Sequence, residues 1–220
     1  LSANMIDYAQ IKDDTRLLKL THQIQNYPKE KLNTQAKKLA FYLNAYNVLS
    51  IAKVAKHWPI DKLKSLGNLL QPVWTQPVGA VCGEQMTLRK LEHDILRTLG
   101  EPRIHFALNC ASMSCPDLRL EPYLAESLEK QLEDQVRIFM SQEGKGMYLK
   151  GEGRVKLSSI FDWFADDFLV VGGVAHFVQQ YLPESGRPWQ IEGYLKYDWN
   201  VNAYLTRSDK LKIKRRKKSR

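Results

Sequence analysis

The sequence predicts an α+β fold, with mixed helices around a small, mostly antiparallel sheet. Three observations predict it. Helical periodicity is strong over residues 34–57 and 124–140, and short strand-like segments with glycine turns fall at residues 81–84 and 147–157. The two kinds of element do not alternate as they would in a doubly wound sheet. A composition of 44% hydrophobic and 26% charged residues excludes disorder for most of the chain.

Residues 4–26 are amphipathic, with Ile6, Ile11, Leu17, Leu18, Leu20 and Ile24 spaced loosely as in surface helices, and Pro28 ends the stretch. Residues 1–35 are read as a helical extension packed on the domain, and 36–206 as its core. From Thr34, Ala36, Leu39, Ala40, Leu43, Val48, Leu49, Ile51, Ala52, Val54 and Ala55 make a helix apolar nearly all round, which marks a buried central element, and Pro59 stops it. Asn44 and Asn47 lie about 60° apart on that helix, and amides on an apolar face need partners.

Val81-Cys82-Gly83-Glu84 reads as a turn between short strands. Thr87 is expected to cap a helix over Leu88–Leu99, closed by Gly100 and Pro102. Arg103 to Asn109 alternates, so a core-lining strand is expected, with Ile104, Phe106 and Leu108 on one face and His105, Ala107 and Asn109 on the other. It runs into a small-residue turn from Cys110 to Pro116.

Leu124, Leu128, Leu132, Val136 and Met140 predict an amphipathic helix. Met147–Leu157 reads as a hairpin turned at Gly151 and Gly153, with Leu149 and Val155 inward. Ser158 or Ser159 caps a short helix holding Phe161, Trp163, Phe164 and Phe168, and Gly172-Gly173 precedes another running to Leu182. Gln190–Tyr197 is expected as a last strand.

A formal charge of +9 suggests a nucleic-acid binder until the charges are located. From Arg207 to Arg220, nine basic side chains stand against Asp209, a net +8 that leaves the other 206 residues at +1. A groove that neutralises many phosphates needs its basic residues on the folded body, so no specific nucleic-acid partner is expected. Residues 207–220 are read as a disordered basic tail capable of weak contact with anionic surfaces. No apolar run reaches membrane-spanning length. The chain opens on Leu1, and the compartment is left open: exported or periplasmic where a leader preceded it, cytoplasmic otherwise.

Candidate chemistry centres on Cys110. A thiol nucleophile needs a partly exposed position near a base, and Cys110 sits among small residues beside His105 and Asn109. His93, on the helix before, is a second candidate base, and Glu92 projects about 100° away from it, a poor orienting partner. The plain alternative makes Cys110 and Cys115 small buried hydrophobes beside a core histidine. A redox disulfide between them is a further option, although the spacing is not that of thioredoxin-type sites. Metal binding fits worse, because no second short-spaced Cys or His pair follows, and no cofactor motif is present.

Several segments together resemble the bacterial and plant family known as domain of unknown function 547. They are Ala40-Phe-Tyr-Leu-Asn44-Ala-Tyr-Asn47, Leu91-Glu92-His93-Asp-Ile-Leu-Arg97, Arg103 to Pro116, Trp163-Phe-Ala-Asp166-Asp167-Phe168 and Tyr197-Asp198-Trp199-Asn200-Val-Asn202, in order. Phe164 and Asn200 stand where the family pattern carries Tyr and Ser. The resemblance implies an α+β domain related to papain-like, NlpC-like thiol hydrolases with rearranged element order. It also places Asn44, Asn47, His93, His105, Cys110 and Cys115 on motif positions. The expected activity is a thiol-dependent hydrolase or acyl transferase on a peptide-like or amide substrate. Cys110 would attack, His105 or His93 would carry the proton, and Asn44, Asn47, Asn109 or Cys115 would bind or orient. The alternative is a non-catalytic module that binds a thiol compound or peptide in the same cleft.

Overall fold

The computed structural model describes residues 5–151, 153–184 and 188–218. Two short helices, α1 (Tyr8–Ile11) and α2 (Thr15–Gln25), precede the central α3 (Gln35–His57). Thr34 Oγ1 accepts the Lys37 N–H at 3.2 Å and satisfies a free donor at the α3 start. Leu39, Leu43, Ala45, Tyr46, Leu49 and Val54 bury around this helix as its all-round apolarity requires.

Strands β1 (Pro77–Val81) and β2 (Glu84–Thr87) form an antiparallel pair. Their turn places Cys82 at φ 49° and Gly83 at φ 81°, the left-handed pair a tight hairpin needs. Thr87 Oγ1 accepts the Lys90 N–H at 2.9 Å, so the helical segment begins where expected. It is not a regular α-helix: Lys90–Leu96 is a π-helical turn and Arg97–Leu99 a 3-10 turn, which ends on left-handed Gly100.

Arg103–Asn109 is not a strand, contrary to the expectation from alternation. Pro102–Phe106 winds as a 3-10 turn. The Glu101 carboxylate accepts the Arg103 N–H at 3.0 Å, and Pro102 has no N–H to offer a ladder. Ile104 and Phe106 therefore enter different cores, Ile104 that around α3 and Phe106 a phenylalanine cluster with Phe139, Phe161, Phe168 and Phe177. His105 lies between the two.

The second core is closed by α4 (Leu128–Ser141), β3 (Met147–Gly151), β4 (Arg154–Leu157), α5 (Ile160–Trp163), α6 (Gly173–Gln179) and β5 (Gln190–Tyr194). Two small sheets replace the single one expected. β3 pairs antiparallel with β4, β4 pairs parallel with β5, and among the described residues β1 pairs only with β2. Val155, on central β4, is fully buried, whereas its partner Leu149 on the same face of edge strand β3 is 39% exposed, so the core covers the central strand and leaves the edge open.

The expected disordered tail is instead α7 (Arg207–Lys218) over its described residues. Ile213 is buried, Lys217 Nζ meets Asp61 at 2.6 Å, and Arg216 donates to the His57 and Pro59 carbonyls at 3.1 Å each. A cation on carbonyls at the end of α3 is favoured by the helix dipole. Charge count alone hid that docking. No described helix is long and apolar enough to cross a membrane.

Candidate functional site

The turn that follows the 3-10 segment is shaped by asparagine amides. Asn47 on α3 donates to the Ala107 carbonyl and accepts the Asn109 N–H, each at 2.9 Å. Asn109 in turn accepts the Ala111 N–H at 2.8 Å and donates to the Pro116 carbonyl at 2.7 Å. Ala111 is held at φ 62°, an unusual angle for a residue with a Cβ, directly after Cys110. From the far end of the chain, Asn202 donates its N–H to the Ala111 carbonyl and its amide to Asn109, while Tyr8 donates to Asn202 at 2.7 Å.

This frame folds Cys110–Cys115 back on itself. The Cys115 sulfur accepts the Cys110 N–H at 3.0 Å. The Tyr197 hydroxyl lies 3.2 Å from the Cys115 sulfur and 3.6 Å from that of Cys110, and the Ser112 hydroxyl lies 3.5 Å from the Cys110 sulfur. Cys115 is buried and Cys110 partly exposed. The two thiols share a proton unequally. The hydrogen bond to Cys115, with burial, pushes the Cys110 thiol well up, whereas burial of Cys115 is outweighed by hydrogen bonds from Cys110, Tyr197 and the backbone, which bring it down.

Cys110 and Cys115 border a cavity of ≈ 200 Å³ lined also by Tyr46, Trp74, Glu92, His93, His105, Trp163, Phe164, Tyr197 and Trp199. Trp163, Tyr197 and Trp199 pack ring to ring at 4.5–5.4 Å along one wall. Glu92, His93 and His105 add polar groups to the lining. The His105 Nε2 lies 2.7 Å from Asp167, whose carboxylate also takes two hydrogen bonds of 2.7 Å from Arg97. Burial pushes the Asp167 carboxyl up, but the His105 and Arg97 hydrogen bonds outweigh it and hold the group well below the carboxylate range. His105 stacks on Phe164 with centroids 4.0 Å apart, and burial pushes its imidazole down against the pull of Asp167.

The structure thus brings Cys110, Cys115, His93 and His105 to one cavity. It does not pair either imidazole with Cys110: among the described residues, no histidine nitrogen hydrogen-bonds that sulfur. Asn44, Asn47 and Asn109 lie outside the cavity wall. Asn44 clamps Tyr123 through its backbone N–H and carbonyl at 2.9 and 2.8 Å. Asn47 and Asn109 shape the loop, Asn44 holds Tyr123, and none of the three lines the cavity.

Sequence reasoning missed Glu92, Arg97, Asp167 and Tyr197. Glu92 hydrogen-bonds Tyr46 at 3.2 Å, and burial first and the Cys110 charge second push its carboxyl up to about 7. Its place beside His93 in a motif segment was the available signal; the π turn, wider than an α-helix, lets both neighbours line one cavity. No described group of three or more His, Cys, Asp or Glu residues is arranged to hold a metal ion.

Fold and site define an α+β domain with a dithiol set in an aromatic cavity. A family model described as "Protein of unknown function, DUF547" matches residues 30–140, about half of the chain, and the chain belongs to that family. No curated protein and no solved structure matches it.

Proposed function

We propose that the cavity is a thiol active site for hydrolysis or transfer of an acyl group from a peptide-like or amide substrate. One observation carries this reading: partly exposed Cys110 and buried Cys115 meet on one Tyr197 hydroxyl, 3.6 and 3.2 Å from their sulfurs, and the hydrogen bonds that bring the Cys115 thiol down place it to exchange a proton with Cys110. The Cys110 thiolate then attacks the acyl carbon, and the His93 Nε2–H on the cavity lining is a donor for the oxyanion. The leaving amine takes its proton from Glu92, whose position near pH 7 suits both giving and receiving one. Water, losing a proton to Glu92, hydrolyses the thioester and frees Cys110. The aromatic wall receives the apolar part of the substrate.

The test is intact-mass analysis of the full chain with an activated acyl ester. One acyl adduct on Cys110 is expected, absent from Cys110→Ala and formed more slowly by Glu92→Gln. An adduct that persists in Cys110→Ala, or none in the unmodified chain, overturns the proposal. A second reading, a non-catalytic module that binds a peptide or thiol compound here, is favoured by the lack of a histidine hydrogen bond to Cys110. It predicts saturable binding unaffected by Cys110→Ala and no turnover.

A further inference from the structure

We propose that Cys110 and Cys115 also form an exchanging dithiol, which reduces small disulfides and closes into an intramolecular disulfide. Four residues separate the two thiols in sequence, and the fold removes that separation. The Cys115 N–H returns to the Ser112 carbonyl at 3.1 Å, the Asn109 side chain holds Ala111 in its left-handed turn, and the Cys115 sulfur arrives 3.0 Å from the Cys110 nitrogen. Tyr197 touches both sulfurs. The two are also unequal in the way exchange requires, one reachable from the cavity and one 1% exposed behind it.

The reaction balances without any further reagent. The Cys110 thiolate attacks one sulfur of a small disulfide RSSR, forming a Cys110–SR bond and expelling RS⁻. The Cys115 thiolate then attacks the Cys110 sulfur, forming the Cys110–Cys115 bond and expelling a second RS⁻. The two thiol protons of the protein go to the two leaving thiolates. The protein loses two electrons and RSSR gains them. Cys115 is suited to the second step because the Cys110 N–H and the Tyr197 hydroxyl stabilise its thiolate where it stands. The third thiol, Cys82, sits in the β1–β2 turn with its N–H on the Ile24 carbonyl, in a different part of the molecule, and serves as an internal control. This step needs no acyl chemistry, so it stands or falls separately from the proposed hydrolase.

The experiment treats the reduced full chain with 2-hydroxyethyl disulfide, alkylates the remaining thiols and maps the peptides. A Cys110–Cys115 disulfide with two small thiols released and Cys82 alkylated is expected. Cys115→Ser should accumulate a mixed disulfide on Cys110 with one thiol released, and Tyr197→Phe should slow ring closure by roughly tenfold or less, since it removes one of several donors to the thiolate. Modification confined to Cys82, or a stable mixed disulfide on Cys110 in the unmodified chain, overturns the proposal. Acyl labelling run alongside separates the two activities: a disulfide without an acyl adduct sinks the hydrolase alone, and an adduct without a disulfide sinks the exchange alone.

Discussion

Arg97 Nη1 lies 2.7 Å from His93 Nδ1, and because a guanidinium has no lone pair the imidazole must be the acceptor. His93 is therefore neutral and carries its proton on Nε2. The same guanidinium holds Asp167 with its other edge, so one arginine fixes a histidine tautomer and a carboxylate together.

That contact sets a titration. Burial first and the Arg97 charge second hold His93 below its ordinary 6.5. Arg97→Gln removes the second cause, and the His93 midpoint, followed by NMR of the ring carbons, should move upward while remaining below that of a free imidazole. An unchanged midpoint would show that Arg97 does not control the tautomer.

Glu92 gives a pH dependence of the opposite sign to that of an ordinary carboxylate. Its folded value, about 7, stands above the ordinary 4.5, so its contribution to stability is full below about 4.5 and is lost as pH rises through 7. The shift corresponds to about 3 kcal/mol between those limits. Glu92→Gln should flatten the stability curve over that window in urea titrations at successive pH values. A curve as steep as that of the parent would refute the assignment.

Removing Asp167 should cost more than a surface ion pair would. Asp167→Ala leaves Arg97 and a His105 with 1% side-chain exposure without their shared acceptor. A loss of about 3 kcal/mol is expected, well above that of an exposed, solvent-screened pair such as Lys29–Glu84. Equal losses in denaturant for Asp167→Ala and Glu84→Ala would contradict the burial argument.

Asn47→Ala should leave the Ala107 carbonyl and the Asn109 N–H buried without their partner. The expected cost is about 2–4 kcal/mol, accompanied by faster alkylation of Cys115 as the loop loosens. Destabilisation without a change in Cys115 reactivity would mean that Asn47 supports the core and not the thiol loop.

The helices α3 and α4 and the hairpin Met147–Leu157 were legible because their periodicity comes from burial of one continuous surface. The segment from Arg103 was not, since Ile104 and Phe106 bury in two separate cores, and alternation looks the same whether the apolar residues share a face or part company. The thiols were legible and their surroundings were not. His105 meets Asp167 across 62 residues and Cys110 meets Tyr197 across 87, distances over which no local pattern reports a contact. The docked α7 was hidden for another reason: one buried Ile213 and one Asp61 partner weigh little in a count dominated by lysines and arginines.

Because Tyr197 closes over Cys110 from 87 residues downstream, the order of synthesis bears on the thiols. At ordinary elongation rates roughly 4–17 s pass between the making of Cys110 and the making of Tyr197. The ribosome thus releases the two sulfurs into solvent before the residue that contacts both has been made, and a chain cut short between Cys115 and Tyr197 carries the two thiols without that hydroxyl.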